Sequence, residues 1–236
     1  MSGATPRVVG VVLARLDSRR LPGKVLAPLG DRTVIDHVLA RAGRARGLDQ
    51  VVVATTDRDV DRPLADHARA AGVEVVAGST DDVVGRVLAA ASVAAADWIV
   101  RCNGDSPFLD PALVDAGVAR AVASEGCAIV SNLPGRTYPY GIAVEVVSVA
   151  ALAEAHPRMD DDDREHVTRY LYARPDEFAV TAMAGDDPSL AEARLVVDTA
   201  ADLERARAIV AALGDDALDA DHRAVAAAWR STGGDS

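Results

Sequence analysis

Apolar and polar positions divide the chain into two regimes. In the first, short apolar runs alternate with longer amphipathic segments. Val8–Leu13 is a continuous apolar run, the pattern of a strand buried on both faces. Thr33 then precedes Val34, Val38 and Ala42 at helical spacing, which predicts a Thr-capped helix. Residues 50–56 read as a second buried strand, 59–71 as a helix closed by Gly72, and 73–77 as a short strand. A capped amphipathic helix is expected over 79–95 and a fourth strand, ending in a loop, over 97–105. Residues 110–124 form a helical pattern with Pro111 in the first turn, and 127–132 read as a fifth strand. Beyond Asn132 the rhythm changes. Residues 133–141 are rich in turn formers and suggest a projecting loop or hairpin, while 142–148 alternate like an exposed or antiparallel strand. Helices are expected near 149–156, over 166–173, over 199–213 behind Thr199 and, weakly, over 219–229; strands are expected over 177–183 and 193–198.

Five strand–helix alternations predict an α/β fold: a three-layer, Rossmann-like, open and mostly parallel sheet with helices on both faces, plus an antiparallel or hairpin embellishment. The whole chain, 1–236, is expected to form a single domain. Ligands of such sheets bind at the carboxyl ends of the strands. Functional residues are therefore expected at 15–24 after the first strand, 55–57 after the second and 103–105 after the fourth.

Composition narrows the function classes. Half the residues are apolar but only 3% are aromatic, so the core must be Ala, Val and Leu. A net charge of −11 repels phosphate backbones and anionic lipid, which argues against nucleic-acid and membrane partners. No apolar run is long enough to span a bilayer. The first seven residues lack the charged-then-apolar order of a signal peptide. Cys102 and Cys127 sit in apolar contexts, as expected of buried free thiols in a reducing cytoplasm.

Against this acidic background, Arg15, Arg19, Arg20 and Lys24 fall within ten residues, and Lys24 is the only lysine in the chain. Four cations between a buried strand and the next helix make an anion cradle. Pro22 sets its direction and Gly23 lets the backbone come close. Guanidinium groups grip phosphate oxygens in pairs, whereas an ammonium is a compact point charge suited to the α-phosphate of a triphosphate under attack. A solvated turn with incidental charges is the competing reading. The loop matches neither a P-loop nor a GxGxxG fingerprint.

Seven segments occur in an order that resembles a known family: ARxxSxRLPGK from Ala14, VVATTD, DDVVGRV, RCNGDSPFLDP, SNLPGRTYPYG, REHVTRYLY and VVDTAADL. Together they resemble the cytidylyltransferases that make CMP-activated sugars, such as the CMP-Kdo and CMP-sialic acid synthetases, and most of all the SpsF-like spore-coat polysaccharide branch. The resemblance runs from about Val8 to Leu213.

That resemblance implies transfer of CMP from CTP to an acceptor oxygen of a sugar acid or related metabolite, with release of pyrophosphate. Lys24, Arg15 and Arg20 would be catalytic. Ala14, Arg15, Ser18, Arg20, Gly23, Lys24, Thr55 and Asn103 would hold the nucleotide, with Asp82 and Arg86 near its base or ribose. Such chemistry requires a divalent cation, expected to be Mg²⁺. The resemblance makes Asp105 and Asp198 its ligands; read alone, Asp105 is equally a turn residue and Asp198 a helix-start carboxylate. Asp110 is expected to cap its helix. Residues 133–148 would be an acceptor-side or dimerisation insertion, with Arg136, Tyr138 and Glu145, together with Glu165 and His166, facing the acceptor; His166 also reads as a capping or packing residue. Two features depart from the family. Tyr140 and Ala143 stand where its YPDGLDVEV pattern has acidic residues, and Asp17 stands in the cationic loop, facing solvent or paired with Arg19 or Arg20. The expected partners are CTP and a small acceptor, and the expected assembly is a homodimer. Competing readings are transfer to a phosphate- or phosphonate-bearing metabolite, a GT-A-like glycosyltransferase, and a non-enzymatic nucleotide-binding protein.

Overall fold

The apolar runs become the strands of one seven-stranded sheet. In the computed structural model, which describes residues 5–233, these are β1 (Val8–Leu13), β4 (Gln50–Thr56), β5 (Glu74–Gly78), β6 (Trp98–Asn103), β7 (Cys127–Ser131), β8 (Glu145–Ser148) and β9 (Ala179–Ala182). A two-stranded antiparallel sheet of β2 (Pro28–Leu29) and β3 (Arg32–Thr33) lies outside it, a hairpin too short for its pattern to be read. The large sheet runs β5-β4-β1-β6-β8-β7-β9. Its β1, β4, β5 and β6 pair in parallel, as do β7 and β9. Only β8 is reversed, antiparallel to both β6 and β7. The alternation over 142–148 therefore marks an antiparallel strand but not an exposed one: Glu145, Val146 and Val147 are all buried, because β8 lies inside the sheet.

The helices are α1 (Val34–Ala42), α2 (Arg62–Ala70), α3 (Val83–Val93), α4 (Pro111–Ala123), α5 (Val149–Ala155), α6 (Asp161–Glu165), α7 (Arg169–Tyr172), α8 (Ala200–Leu213) and α9 (His222–Ser231). Local chemistry sets their starts. Thr33 with Asp36, and Thr199 with Asp202, form reciprocal capping boxes. Asp110 accepts from the amides of Ala112 and Leu113 ahead of Pro111, and Asp160 caps the acidic segment that begins α6. One apolar cluster covers one face of the sheet with α1, α2 and α4, and a second covers the other face with α3, α5 and α7. A third joins α8 and α9 to Leu29, Val34 and Phe108. Arg41 crosses into this last region fully buried, donating to the carbonyls of Leu109, Ala217 and Ala220 at 2.6, 2.8 and 2.5 Å.

One expectation over the second regime is corrected and another is narrowed. Residues 193–198 form no strand; they make a single parallel bridge between Tyr140 and Arg194. Residues 133–141 form turns and bends, the loop of the two readings and not the hairpin. Tyr140 N–H donates to Ala193 C=O at 2.8 Å and Leu195 N–H to Tyr140 C=O at 2.7 Å, so the two segments hold each other. Gly141 makes that approach possible: at φ 106 it lies where a Cβ would stand 2.8 Å from the Leu195 carbonyl carbon. Both cysteines are free and buried, and burial pushes the Cys102 thiol up to about 12. Among the described residues, no helix is long and apolar enough to cross a membrane. Residues 1–4, on which part of the signal-peptide reading rests, lie outside the described residues.

Candidate active site

At the carboxyl end of β1 the chain leaves the sheet through the cationic loop, one wall of a cavity of about 740 Å³. The loop is pinned at its start. Leu16 N–H donates to Asp61 Oδ1 at 2.6 Å, and Asp61, fully buried, also accepts from the Thr56 hydroxyl and pairs with Arg58 at 3.2 Å. Asp17 turns to Arg58 at 2.7 Å and Arg15 at 3.4 Å, not to Arg19 or Arg20. Burial would raise its carboxyl, but the Arg58 hydrogen bond and the Arg15 and Arg58 charges hold it below the ordinary value. Gly23 N–H closes the loop onto Leu16 C=O at 2.8 Å. A short 3-10 turn, Lys24–Leu26, then sends the lysine inward.

Lys24 is buried and lies between two carboxylates. Its Nζ is 2.6 Å from Asp105 Oδ2 and 2.9 Å from Asp198 Oδ1. Arg20 Nη2 reaches the same Asp198 oxygen at 2.8 Å, and Arg194 Nη2 reaches Oδ2 at 2.8 Å. Burial works against the Asp198 anion, yet the Lys24 hydrogen bond and the charges of Lys24, Arg20 and Arg194 win, and its carboxyl stays below the ordinary value. Backbone contacts bring these distant residues together. Gly104 N–H donates to Leu13 C=O at 2.8 Å, and Val197 N–H donates to Asp105 C=O at 2.8 Å. A Cβ on Gly104 would stand 2.6 Å from Ala14 Cβ, so only glycine lets the β6 end lie this close to β1.

The cavity wall gathers most of the expected residues. Ala14, Arg15, Ser18, Arg20 and Lys24 come from the loop, joined by Arg19. Asn103 and Asp105 come from the end of β6, Arg86 from α3, Glu165 and His166 from the end of α6, and Asp198 from the approach to α8. Arg86 is buried, donates to Ser79 C=O at 2.5 Å and has a buried Nε with no partner among the described residues. Burial, and then repulsion from Arg15, lower its pKa.

Other expected residues stand elsewhere. Gly23 shapes the loop without facing the cavity. Thr55 is fully buried in β4, its hydroxyl unpartnered among the described residues. Asp82 caps α3 through Gly85 N–H at 2.7 Å and meets His156 Nε2 at 2.8 Å. Glu145 is 1% exposed, too enclosed to touch an acceptor. It accepts from Arg101 Nη1 at 2.5 Å, Thr168 Oγ1 at 2.7 Å and the Tyr172 hydroxyl at 3.0 Å. Burial, and then the Glu145 charge, push the Tyr172 phenol upward. Arg136 and Tyr138 line an adjoining cavity of about 390 Å³, where Tyr138 stands edge-on to His222 with ring centroids 5.2 Å apart.

Arg101 and Arg194 went unread in the sequence, whereas Tyr140 was read as a departure from the family pattern. Arg101 and Tyr140 line both cavities, and Arg194 braces Asp198 while its guanidinium lies 4.9 Å from the Tyr140 ring centre. A signal for Arg101 existed: a strand alternates faces, so Arg101 and Asn103 of β6 share one face.

Among the described residues, no group of three or more His, Cys, Asp or Glu is placed to hold a metal ion. Asp105 and Asp198 nevertheless fit one. They are two hard oxygen donors converging on a single cation position at a cavity wall, now taken by the Lys24 ammonium. Mg²⁺ typically takes one or two protein carboxylates and fills its remaining positions with water and substrate phosphate.

A protein-family model described as cytidylyltransferase matches residues 9–219. The spore coat polysaccharide biosynthesis protein SpsF of Bacillus subtilis is 31% identical over 170 residues, covering 71% of this chain and 69% of SpsF. A 3-deoxy-manno-octulosonate cytidylyltransferase of Chlorobaculum parvum is 39% identical over 114 residues, 48% of this chain and 44% of that enzyme. The solved structure of a cytidylyltransferase from Leptospira borgpetersenii superimposes with a TM-score of 0.90 at 26% identity, covering 96% of this chain and 94% of that one.

Proposed function

Because this chain belongs to the cytidylyltransferase family, we propose that it transfers CMP from CTP to an oxygen of a sugar acid or related small metabolite and releases pyrophosphate, with Mg²⁺ as cofactor. The observation that carries the reading is the meeting of Lys24 with Asp105 and Asp198 at one cavity that also holds Arg15, Ser18 and Arg20. The sugar acid in the name of the Chlorobaculum enzyme supports an acceptor of that kind.

In this mechanism Arg15, Ser18 and Arg20 hold the triphosphate, and Lys24 takes the phosphate that is transferred. The acceptor oxygen bonds to the α-phosphorus as the bond to the bridging oxygen of the β-phosphate breaks. Pyrophosphate leaves and the acceptor proton passes to water. Asp105 and Asp198 would hold the divalent cation, which supplies charge neutralisation of the triphosphate when bound. Arg194 keeps Asp198 turned toward the site, and Arg86 lies where a base or ribose would rest. No covalent enzyme intermediate is required; fixed geometry and charge stabilisation supply the rate.

The test is a thermal-shift panel of CTP, UTP, ATP and GTP with and without Mg²⁺, followed by pyrophosphate release with candidate acceptors. CTP with Mg²⁺ is expected to stabilise the protein most and to yield pyrophosphate. Stabilisation that is indifferent to the base or the metal overturns the reading. A nucleotide-sugar glycosyltransferase would release no pyrophosphate from free CTP.

A further inference from the structure

Lys24, the only lysine in the chain, spends its charge on the protein itself. Its side chain is 9% exposed, and Nζ lies 2.6 Å from Asp105 Oδ2 and 2.9 Å from Asp198 Oδ1. An ammonium thus joins the two carboxylates that fit a divalent cation. Charge around them balances. Asp105, Asp198 and Asp202 face Lys24, Arg20 and Arg194, with Arg194 reaching Asp202 at 3.4 Å as well as Asp198 at 2.8 Å. The cations differ in what they can give up. Arg20 is 61% exposed and can turn to water, whereas the enclosed Lys24 needs an anion beside it.

Resting on the cytidylyltransferase reading, we propose that Lys24 is a built-in counter-ion that exchanges the carboxylates of Asp105 and Asp198 for the triphosphate, and so couples the binding of nucleotide and divalent cation. A divalent cation arriving alone would add positive charge to a balanced group. It would also release a buried ammonium with no anion to receive it. A triphosphate arriving alone would draw Lys24 away and leave two carboxylates facing its phosphates. Each arrival is unfavourable by itself and favourable with the other, so Lys24 makes the two bind as one event. The residue type suits the exchange. An ammonium is a compact charge that can sit between two carboxylates as a metal ion does, and its flexible stem lets it change partner. A planar guanidinium has the charge without the shape. This gives the lone lysine of an arginine-rich chain a task that arginine could not fill.

The single lysine also supplies the test. Protein grown on lysine labelled with ¹³C at Cε gives one lysine resonance, a direct reading of Lys24 in the unaltered protein. Millimolar Mg²⁺ alone is expected to leave that resonance in place, and CTP with Mg²⁺ to move it. Metal affinity is read separately, without added nucleotide, from the electron paramagnetic resonance signal of free Mn²⁺. Lys24→Met is expected to bind Mn²⁺ about tenfold or more tightly than the unaltered protein, within the usual range of coupling between sites. Adding Asp198→Asn to Lys24→Met is expected to abolish the gain. A cooperative urea transition checks that each variant is folded, and the resonance needs no variant at all. Equal Mn²⁺ affinity with and without Lys24, or a gain that survives Asp198→Asn, would overturn the exchange. So would a resonance that Mg²⁺ alone moves as far as CTP with Mg²⁺ does, or one that stays in place while CTP with Mg²⁺ stabilises the protein. These outcomes leave the transfer reading standing. Absence of any stabilisation by CTP with Mg²⁺ overturns that reading, and the exchange with it.

Discussion

Lys24 Nζ lies 2.9 Å from Asp198 Oδ1, an ammonium from the first loop against a carboxylate that precedes the eighth helix. Asp198 does not depend on that contact for its charge balance, because Arg20 and Arg194 each reach it at 2.8 Å. Removal of Lys24 therefore leaves no bare buried anion. In Lys24→Ala the cooperative urea transition is expected to survive, while pyrophosphate release from CTP falls by about 10²-fold or more, the scale of losing one electrostatic stabiliser of the transition state. Near-normal turnover in that variant would remove Lys24 from the mechanism.

Gly104 carries a second expectation. A Cβ there would stand 2.6 Å from Ala14 Cβ and 3.1 Å from the Leu13 carbonyl, so Gly104→Ala must push the end of β6 away from β1. Overpacking of this kind typically costs about 1–3 kcal/mol. Asp105 moves with the backbone, so the urea midpoint should drop modestly and turnover severely. Unchanged kcat with a lowered midpoint would show that Asp105 keeps its place.

Arg41 is structural, remote from the chemistry. Arg41→Met leaves the carbonyls of Leu109, Ala217 and Ala220 without their buried donor. An unsatisfied buried polar group costs about 1–3 kcal/mol, so the total loss is expected to reach several kcal/mol. It should appear as a lower urea midpoint with little change in slope. A shift below about 1 kcal/mol would mean that water reaches those carbonyls.

Acid stability follows from carboxyls held low. Asp198, Asp202 and Asp110 all lie below the ordinary 3.8: burial raises each, and hydrogen bonds with nearby positive charge outweigh it. Each binds fewer protons folded than unfolded near that value, so its stabilisation is complete above the unfolded value and is lost as pH falls through the lower folded value. Urea midpoints are expected to be flat in this respect above about pH 5 and to fall below about pH 4. Asp110→Asn should flatten the fall; an unchanged slope would deny Asp110 a part in it.

Cys102 should resist thiol reagents. Its thiol is pushed up to about 12 by burial, leaving negligible thiolate near neutrality. Native protein is expected to react with an aromatic disulfide only at its unfolding rate, and urea-unfolded protein at once. Fast labelling of Cys102 in the native state would contradict the burial.

The alternation of apolar runs and amphipathic segments made the parallel half of the sheet legible, because strands buried on both faces are mostly apolar along their length. The capping residues Thr33, Asp110 and Thr199 were legible for the same local reason. The placement of β8 was not: its pattern reads as one face exposed, and only tertiary pairing sets it between β6 and β7. The residues expected at the ends of β1 and β6 line the cavity because the topology points them there, whereas Thr55 at the end of β4 is buried within the sheet. Glu145 and Asp82 stand off the cavity wall, which the sequence hid, because a carboxylate in a matching motif reads alike whether it faces a ligand or anchors an arginine or a helix. Arg101 was missed because the face it shares with Asn103 tells where its side chain lies but not what it meets.

The hydrogen bond from Val197 N–H to Asp105 C=O ties the first half of the polypeptide to its final third. During synthesis the cationic loop leaves the ribosome long before Asp198 exists to balance it. A product stopped short of that residue would carry the loop without the carboxylate that Arg20 and Lys24 share. Translation must pass that point before the centre is electrically complete, so competence arrives late and nearly all at once.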